Sequence, residues 1–147
     1  FWRAANFAGV ISNTGSAANN ADPDGDTYSN LLEYAFGTDP NNPASGPGEI
    51  TFDGGTILLR AQPKLTVTNT ATGVNFRANF GRRKDYVTAG LTYTVQFSAD
   101  MQTWQNSTAT PTVLASDAEL DAVYVKYPFF LQDGRKAQFY RVEVSVP

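Results

Sequence analysis

Beyond residue 48 the chain alternates apolar and polar residues with a period of two, the pattern of half-buried strands. Ile50 and Phe52 lead into Asp53-Gly54-Gly55, a hairpin signal, and Thr56 to Arg60 returns. Leu65 and Val67 alternate with Thr66 and Thr68. Val74, Phe76, Ala78 and Phe80 alternate with Asn75, Arg77 and Asn79. The cleanest strand is Leu91-Tyr93-Val95-Phe97 against Thr92, Thr94, Gln96 and Ser98, with one wet and one buried face. After an Ala99-Asp100 corner, Gln102 to Gln105 continues, with Trp104 expected in the core. Thr110 to Leu114, Leu120 to Tyr127 and, after an Asp133-Gly134 turn, Gln138 to Val146 complete the set, the last burying Tyr140, Val142 and Val144. About eight short strands with turn signals between them predict a mainly β fold, a two-sheet antiparallel Ig-like or fibronectin-like β-sandwich, with a jelly roll as the second choice.

The first 47 residues read differently. Phe1 to Phe7 is apolar and long enough for one or two helical turns; Trp2 and Phe7 are expected to pack on the Leu32/Phe36 face of the later helix or, as the alternative, to dock on another protein. Ser12 to Asn20 is small and polar, a loop. Ser29 to Phe36 predicts a short helix whose Leu32 and Phe36, four apart, share an apolar face. Gly37 is its expected left-handed stop, and Pro40 prevents continuation. Asn41 to Gly48 is the clearest linker, so the chain divides into an arm at 1–47 and the β domain at 48–147.

Between the loop and the helix lies Asp22-Pro23-Asp24-Gly25-Asp26-Thr27-Tyr28-Ser29-Asn30-Leu31-Leu32-Glu33. A calcium loop of the EF-hand kind takes ligands from positions 1, 3, 5, 7, 9 and 12. These are Asp22, Asp24, Asp26, the Tyr28 backbone carbonyl, Asn30 and Glu33. Alternate residues of a tightly curled loop point inward together, and a Glu one helical turn on closes the shell with two oxygens. Four carboxylates packed this closely repel without a cation. Position 6, usually Gly, is Thr27, which predicts a strained or altered turn. The plainer alternative is an acidic turn before a helix. Asp39, in Gly37-Thr38-Asp39-Pro40, is a turn former or an extra ligand.

The run ADPDGDTYSNLLEYAFGTDPNNP resembles the thrombospondin type 3 and dockerin style of calcium repeat. It is closer still to the single-copy version near the C-terminus of secreted proteins of Verrucomicrobia and Planctomycetes. There the loop precedes β phrases like Tyr93 to Asp100, then a Trp such as Trp104, and a last strand like Phe139-Tyr140-Arg141-Val142. The resemblance spans most of the chain and implies an extracellular, calcium-stabilised accessory region.

Composition trims the alternatives. The net charge of −3 argues against a nucleic-acid or anionic-membrane partner, and no apolar run is long enough to span a bilayer. No His and no Cys leaves no Ser-His-Asp or Cys-His triad and no ordinary zinc site, so the expectation is a non-catalytic chain. Missing cysteine does not argue against export if a metal and a core hold the fold. The chain starts at Phe1 without Met, which reads as a processed or excised piece. Arg82-Arg83-Lys84 is a solvated hairpin end or a dock for an acidic surface. Asn106-Ser107-Thr108 fits a glycosylation sequon. Tyr28, Tyr86, Trp104, Tyr124 and Tyr127 are candidate sugar-stacking platforms if exposed. The reading that results is a secreted, Ca2+-binding structural or anchoring domain at the cell surface or beyond it, whose partners are other extracellular proteins. Its sharper version has copies of the chain pair by edge strands, the N-terminal arm or the last strand completing a neighbour's sheet. The alternative is a carbohydrate-binding module appended to a secreted enzyme.

Overall fold

The Asp53-Gly54-Gly55 signal closes the first hairpin. In the computed structural model, which describes residues 1–147, β1 (Thr51–Asp53) and β2 (Thr56–Leu59) pair antiparallel. Gly54 and Gly55 sit at φ 54° and 84°, the left-handed pair that a two-residue turn of this type requires. A second hairpin joins β3 (Lys64–Thr70) to β4 (Gly73–Arg83) in unbroken register from Lys64↔Asn79 to Thr70↔Gly73. β4 runs on past Phe80 because its second half pairs with β8 (Leu120–Lys126), from Arg77↔Lys126 to Arg83↔Leu120. β7 (Thr112–Ser116) lies on the far side of β8. The resulting sheet has the order β1-β2-β7-β8-β4-β3. The second sheet has the order β6-β5-β9, with β5 at Thr92–Ser98, β6 at Gln105–Asn106 and β9 at Phe139–Ser145.

The chain is therefore mainly β. Two links depart from the expected antiparallel pattern: Thr56↔Ser116 joins β2 to β7 in parallel, and a parallel bridge joins Glu49 to Gln62. Thr56 and Ser116 are far apart in the chain, where no tight turn dictates direction, whereas Glu49 and Gln62 flank the β1–β2 hairpin.

Ala78 and Phe80 of β4 and Val123 and Val125 of β8 meet Val95 and Phe97 of β5 in one buried cluster, so the two sheets share an apolar layer. The expected buried positions hold at Leu91, just before β5, at Val95 and Phe97 within it, and in β9, where Tyr140, Val142 and Val144 pack on the core, but Ser98, expected on the wet face, is fully buried, its Oγ accepting the amides of Asp100 and Met101. A second cluster joins Ile50, Ile57, Ala115, Leu120 and Ala122.

Trp104 departs from expectation. Asp100 Oδ1 accepts the amides of Gln102 and Thr103, and Met101 takes φ 61°, so residues 100–103 form a turn and the strand begins only at Gln105. Trp104 is consequently half-buried, with the Arg141 guanidinium 4.4 Å over its ring.

The helix α2 spans Asn30–Phe36 with Ser29 at its N-cap position, and Gly37 stops it at φ 74°, ψ 32°. A Cβ at Gly37 would lie 2.7 Å from Leu120 Cδ1, so glycine serves both the turn and the approach to β8. Leu32 and Phe36 face the β core. α1 (Trp2–Asn6) packs elsewhere: Trp2 meets Phe7 and Tyr34, at ring distances of 5.8 and 5.2 Å. At 3.6 residues per turn, Tyr34 lies about 200° round the helix from Leu32 and Phe36, so the arm packs on a different side of α2, where the Arg83 guanidinium of β4 also lies 4.4 Å over the Tyr34 ring. No helix is long and apolar enough to cross a membrane.

Candidate metal centre

Asp24 and Asp26 each spend one carboxylate oxygen on the backbone and Asp22 spends both, which curls the chain. Asp22 Oδ1 and Oδ2 accept from Gly25 N at 2.8 Å and Thr27 N at 3.0 Å. Asp24 Oδ1 accepts from Asp26 N at 3.2 Å, and Asp26 Oδ1 from Tyr28 N at 2.8 Å. The curl brings one carboxylate oxygen of each of Asp22, Asp24 and Asp26 within 4.8 Å of the others, a group that could hold a metal ion. Asp24 Oδ2 and Asp26 Oδ2 remain buried and without a hydrogen-bond partner.

Asn30 and Glu33 enter from the first turn of α2. Asn30 is 2% exposed; its Nδ2 donates to the Ser16 and Ala18 carbonyls, both at 2.7 Å, and its Oδ1 is left without a partner. Those two carbonyls belong to the segment around the 3-10 turn Gly15–Ala17, which Arg3 Nε ties to α1 through the Ala17 carbonyl at 3.0 Å. Glu33 is fully buried, and neither Oε1 nor Oε2 has a partner. Burial first, then the charges of Asp24, Asp26, Asp22 and Asp39, push its carboxyl up to about 8. Burial also raises Asp24. A buried carboxylate with no donor costs several kcal/mol or stays protonated, unless a cation is supplied. Asp24 Oδ2, Asp26 Oδ2, Asn30 Oδ1 and both Glu33 oxygens are thus unpartnered oxygens, the donor type a hard divalent cation takes, but Glu33 lies outside the group that Asp22, Asp24 and Asp26 form.

Of the other sequence candidates, Tyr28 sits at the bend, its amide held by Asp26. Asp39 is exposed and builds a turn: its Oδ1 accepts from Asn41 N at 3.1 Å and its amide donates to Ser45 Oγ at 2.9 Å. The residue that sequence reasoning missed is Thr38, 6% exposed, with Oγ1 unpartnered. A Cβ on Gly46 would lie 2.9 Å from Asp26 Oδ2 and 3.9 Å from the Thr38 Cβ, so the 38–46 segment lies over the loop. Glycine at 46 was the only signal for that approach.

Thr27 does occupy the left-handed region, at φ 82°. For a β-branched residue this costs roughly 1–2 kcal/mol, and glycine removes the strain at a smaller cost in unfolded-chain entropy. Thr27→Gly is expected to raise the melting temperature by a few degrees; an unchanged or lower value would show that the strain is not stored there.

Several of the remaining charged groups are paired within the chain. Arg60 meets Asp117 at 2.8 Å and Glu119 at 2.6 Å. In the basic run, Arg83 meets Asp85 at 2.7 Å, Arg82 lies 4.0 Å from Asp121, and Lys84 Nζ donates to the Asp117 carbonyl at 2.6 Å. Three candidate sugar platforms carry a guanidinium over the ring: Tyr86 under Arg82, Trp104 under Arg141 and Tyr124 under Arg77. Tyr127 packs edge-on to Phe97 and Tyr140.

No protein-family model, curated protein or solved structure matches this chain.

Proposed function

We propose that this chain is a secreted, non-catalytic structural or anchoring domain, an Ig-like or fibronectin-like β-sandwich whose N-terminal loop and helix are stapled to it by one Ca2+. The observation that carries the reading is Glu33, fully buried with both oxygens unpartnered beside Asp24 and Asp26. The sandwich is supported by the core shared between the two sheets. Asp22, Asp24, Asp26, Asn30, Glu33 and the Tyr28 carbonyl would hold the ion. Calcium suits a donor set rich in carboxylates and flexible in number better than magnesium, which demands near-octahedral geometry and keeps its waters. The bound ion supplies positive charge that lets the carboxylates ionise together; the residues supply the curl and the dry wall behind it. A site of this kind on an extracellular module stays filled at millimolar calcium. An ion that binds only the folded state then adds RT ln(1 + [L]/Kd), about 2.7 kcal/mol at a hundredfold excess over Kd.

Calorimetric titration of the chelator-stripped protein tests this. One Ca2+ should bind, with Mg2+ at least tenfold weaker. No heat with Ca2+, together with an identical melt in calcium and chelator, would remove the metal and the reading built on it.

A further inference from the structure

Four strands form the sheet edges: β1 and β3 in the larger sheet, β6 and β9 in the smaller. β1 has three residues and β6 two, too short to template another chain. β9 is longer, but its apolar face already packs on the core, and its outward Arg141 lies over Trp104 and donates to Gln96 Oε1 at 2.6 Å. β3 differs from all three. It has seven residues, Lys-Leu-Thr-Val-Thr-Asn-Thr, with no proline, no bulge and a single charge at its start. It is paired on one side only, with β4. Natural edges are ordinarily blunted by short length, proline, bulges or charges along the strand, of which β3 has only Lys64 at its start.

Its apolar face is also uncovered. Leu65 and Val67 are 43% and 54% exposed, and their β4 neighbours Val74 and Phe76 are 43% and 41% exposed. These residues share a face with Ala78 and Phe80, but the three-stranded sheet does not reach over them. Phe129 and Phe130 extend the patch, and between them, Leu65 and Phe76 runs a cleft of about 280 Å³. With large apolar side chains burying roughly 150–200 Å² each, the six contribute about 500 Å² of exposed apolar surface. That is near the upper end for a monomer's largest patch, which marks this end of the sheet as an interaction surface.

We propose that β3 pairs with β3 of a second copy of this chain, antiparallel, about a twofold axis at Val67. In that register Val67 faces the partner's Val67, Thr66 faces the partner's Thr68, Leu65 faces the partner's Asn69 and Lys64 faces the partner's Thr70. No like charges oppose one another, and the two uncovered apolar faces join on one side of a continuous sheet. The edge that pairs is thus neither the N-terminal arm nor β9. The cation loop takes no part, so this pairing and the calcium reading stand or fall separately.

Sedimentation across a concentration series, with cysteine cross-linking, tests it. The parent should show a monomer–dimer equilibrium. Val67→Lys, which sets two ammonium groups face to face at an exposed position, should weaken it roughly a hundredfold while leaving the melt in place. The chain has no cysteine, so Val67→Cys should give a covalent dimer on mild oxidation, while the exposed Arg141→Cys should not. A parent that stays monomeric at several hundred micromolar, a dimer that survives Val67→Lys, or equal cross-linking of the two cysteine variants would each overturn the proposal.

Discussion

Glu33→Gln is expected to have opposite effects with and without calcium. In millimolar calcium, with Ca2+ held as proposed, the substitution would remove a residue able to offer two oxygens to the ion, and with it most of the ~2.7 kcal/mol that a hundredfold excess of calcium would supply. For a chain of this length that lowers the melting temperature by about 5–10 °C. In chelator the sign reverses. The Glu33 carboxyl is pushed up to about 8 from an ordinary value near 4.5, chiefly by burial. A carboxyl raised in this way favours the folded chain fully below 4.5. The benefit fades as pH climbs through about 8, because the unfolded chain ionises first and the folded chain must then carry a buried charge. Chelated parent should therefore melt progressively lower from pH 5 to pH 8.5. Glu33→Gln cannot ionise, so it should lose this part of the slope and equal or exceed the parent at pH 8.5. Four melts of each protein, at two pH values with and without calcium, decide it. A parallel loss in calcium and in chelator would mean that Glu33 is an ordinary core residue with no cation to hold.

The parts of this reading that came from sequence are the parts set locally. Asp22, Asp24 and Asp26 approach one another because alternate residues of a five-residue curl must, and Glu33 lies one helical turn past Ser29 whatever the sheets do. Gly37 and the Gly54-Gly55 turn are likewise decided by backbone dihedrals within two residues. What escaped is set by distant partners. Leu65, Val67 and Phe76 alternate as core strands do, yet lie exposed, because the width of the opposing sheet fixes which of them is covered. Trp104 reads as core by composition but sits beneath Arg141, a residue of β9 placed there by sheet register. Thr38 carried no signal at all; its burial follows from the fold-back of residues 38–46 over the loop. Trp2 meets Tyr34 rather than Phe36 because the sheets had already claimed the other side of α2.

Phe36→Ala should be the most damaging single substitution in the loop-helix segment, and it tests how the segment is joined to the sheets. Phe36 is 2% exposed, shares a cluster with Phe80, Phe97 and Val123, and its ring lies 6.5 Å from that of Tyr93. Beside it, the Tyr93 hydroxyl donates to the Ala35 carbonyl at 2.8 Å and accepts from the Arg83 amide at 3.2 Å, which ties α2 to β4 and β5. Truncating a buried phenylalanine costs roughly 3–5 kcal/mol, so the melt should fall by about 10 °C or more. The same geometry makes the helix part of the sheet core, so the whole chain should unfold in one transition. Trp2 reports on the arm and Trp104 on the sheets, and the chain has no other tryptophan. In Trp2→Phe and Trp104→Phe backgrounds the remaining tryptophan should report the same midpoint, and calcium should shift both by the same amount. A Trp104 signal indifferent to calcium, or to Phe36→Ala, would show that the loop and helix are a separate unit and that the ion braces only itself. Equal shifts would mean that a cation held by Glu33 at one end of α2 stabilises β5 through Phe36 at the other.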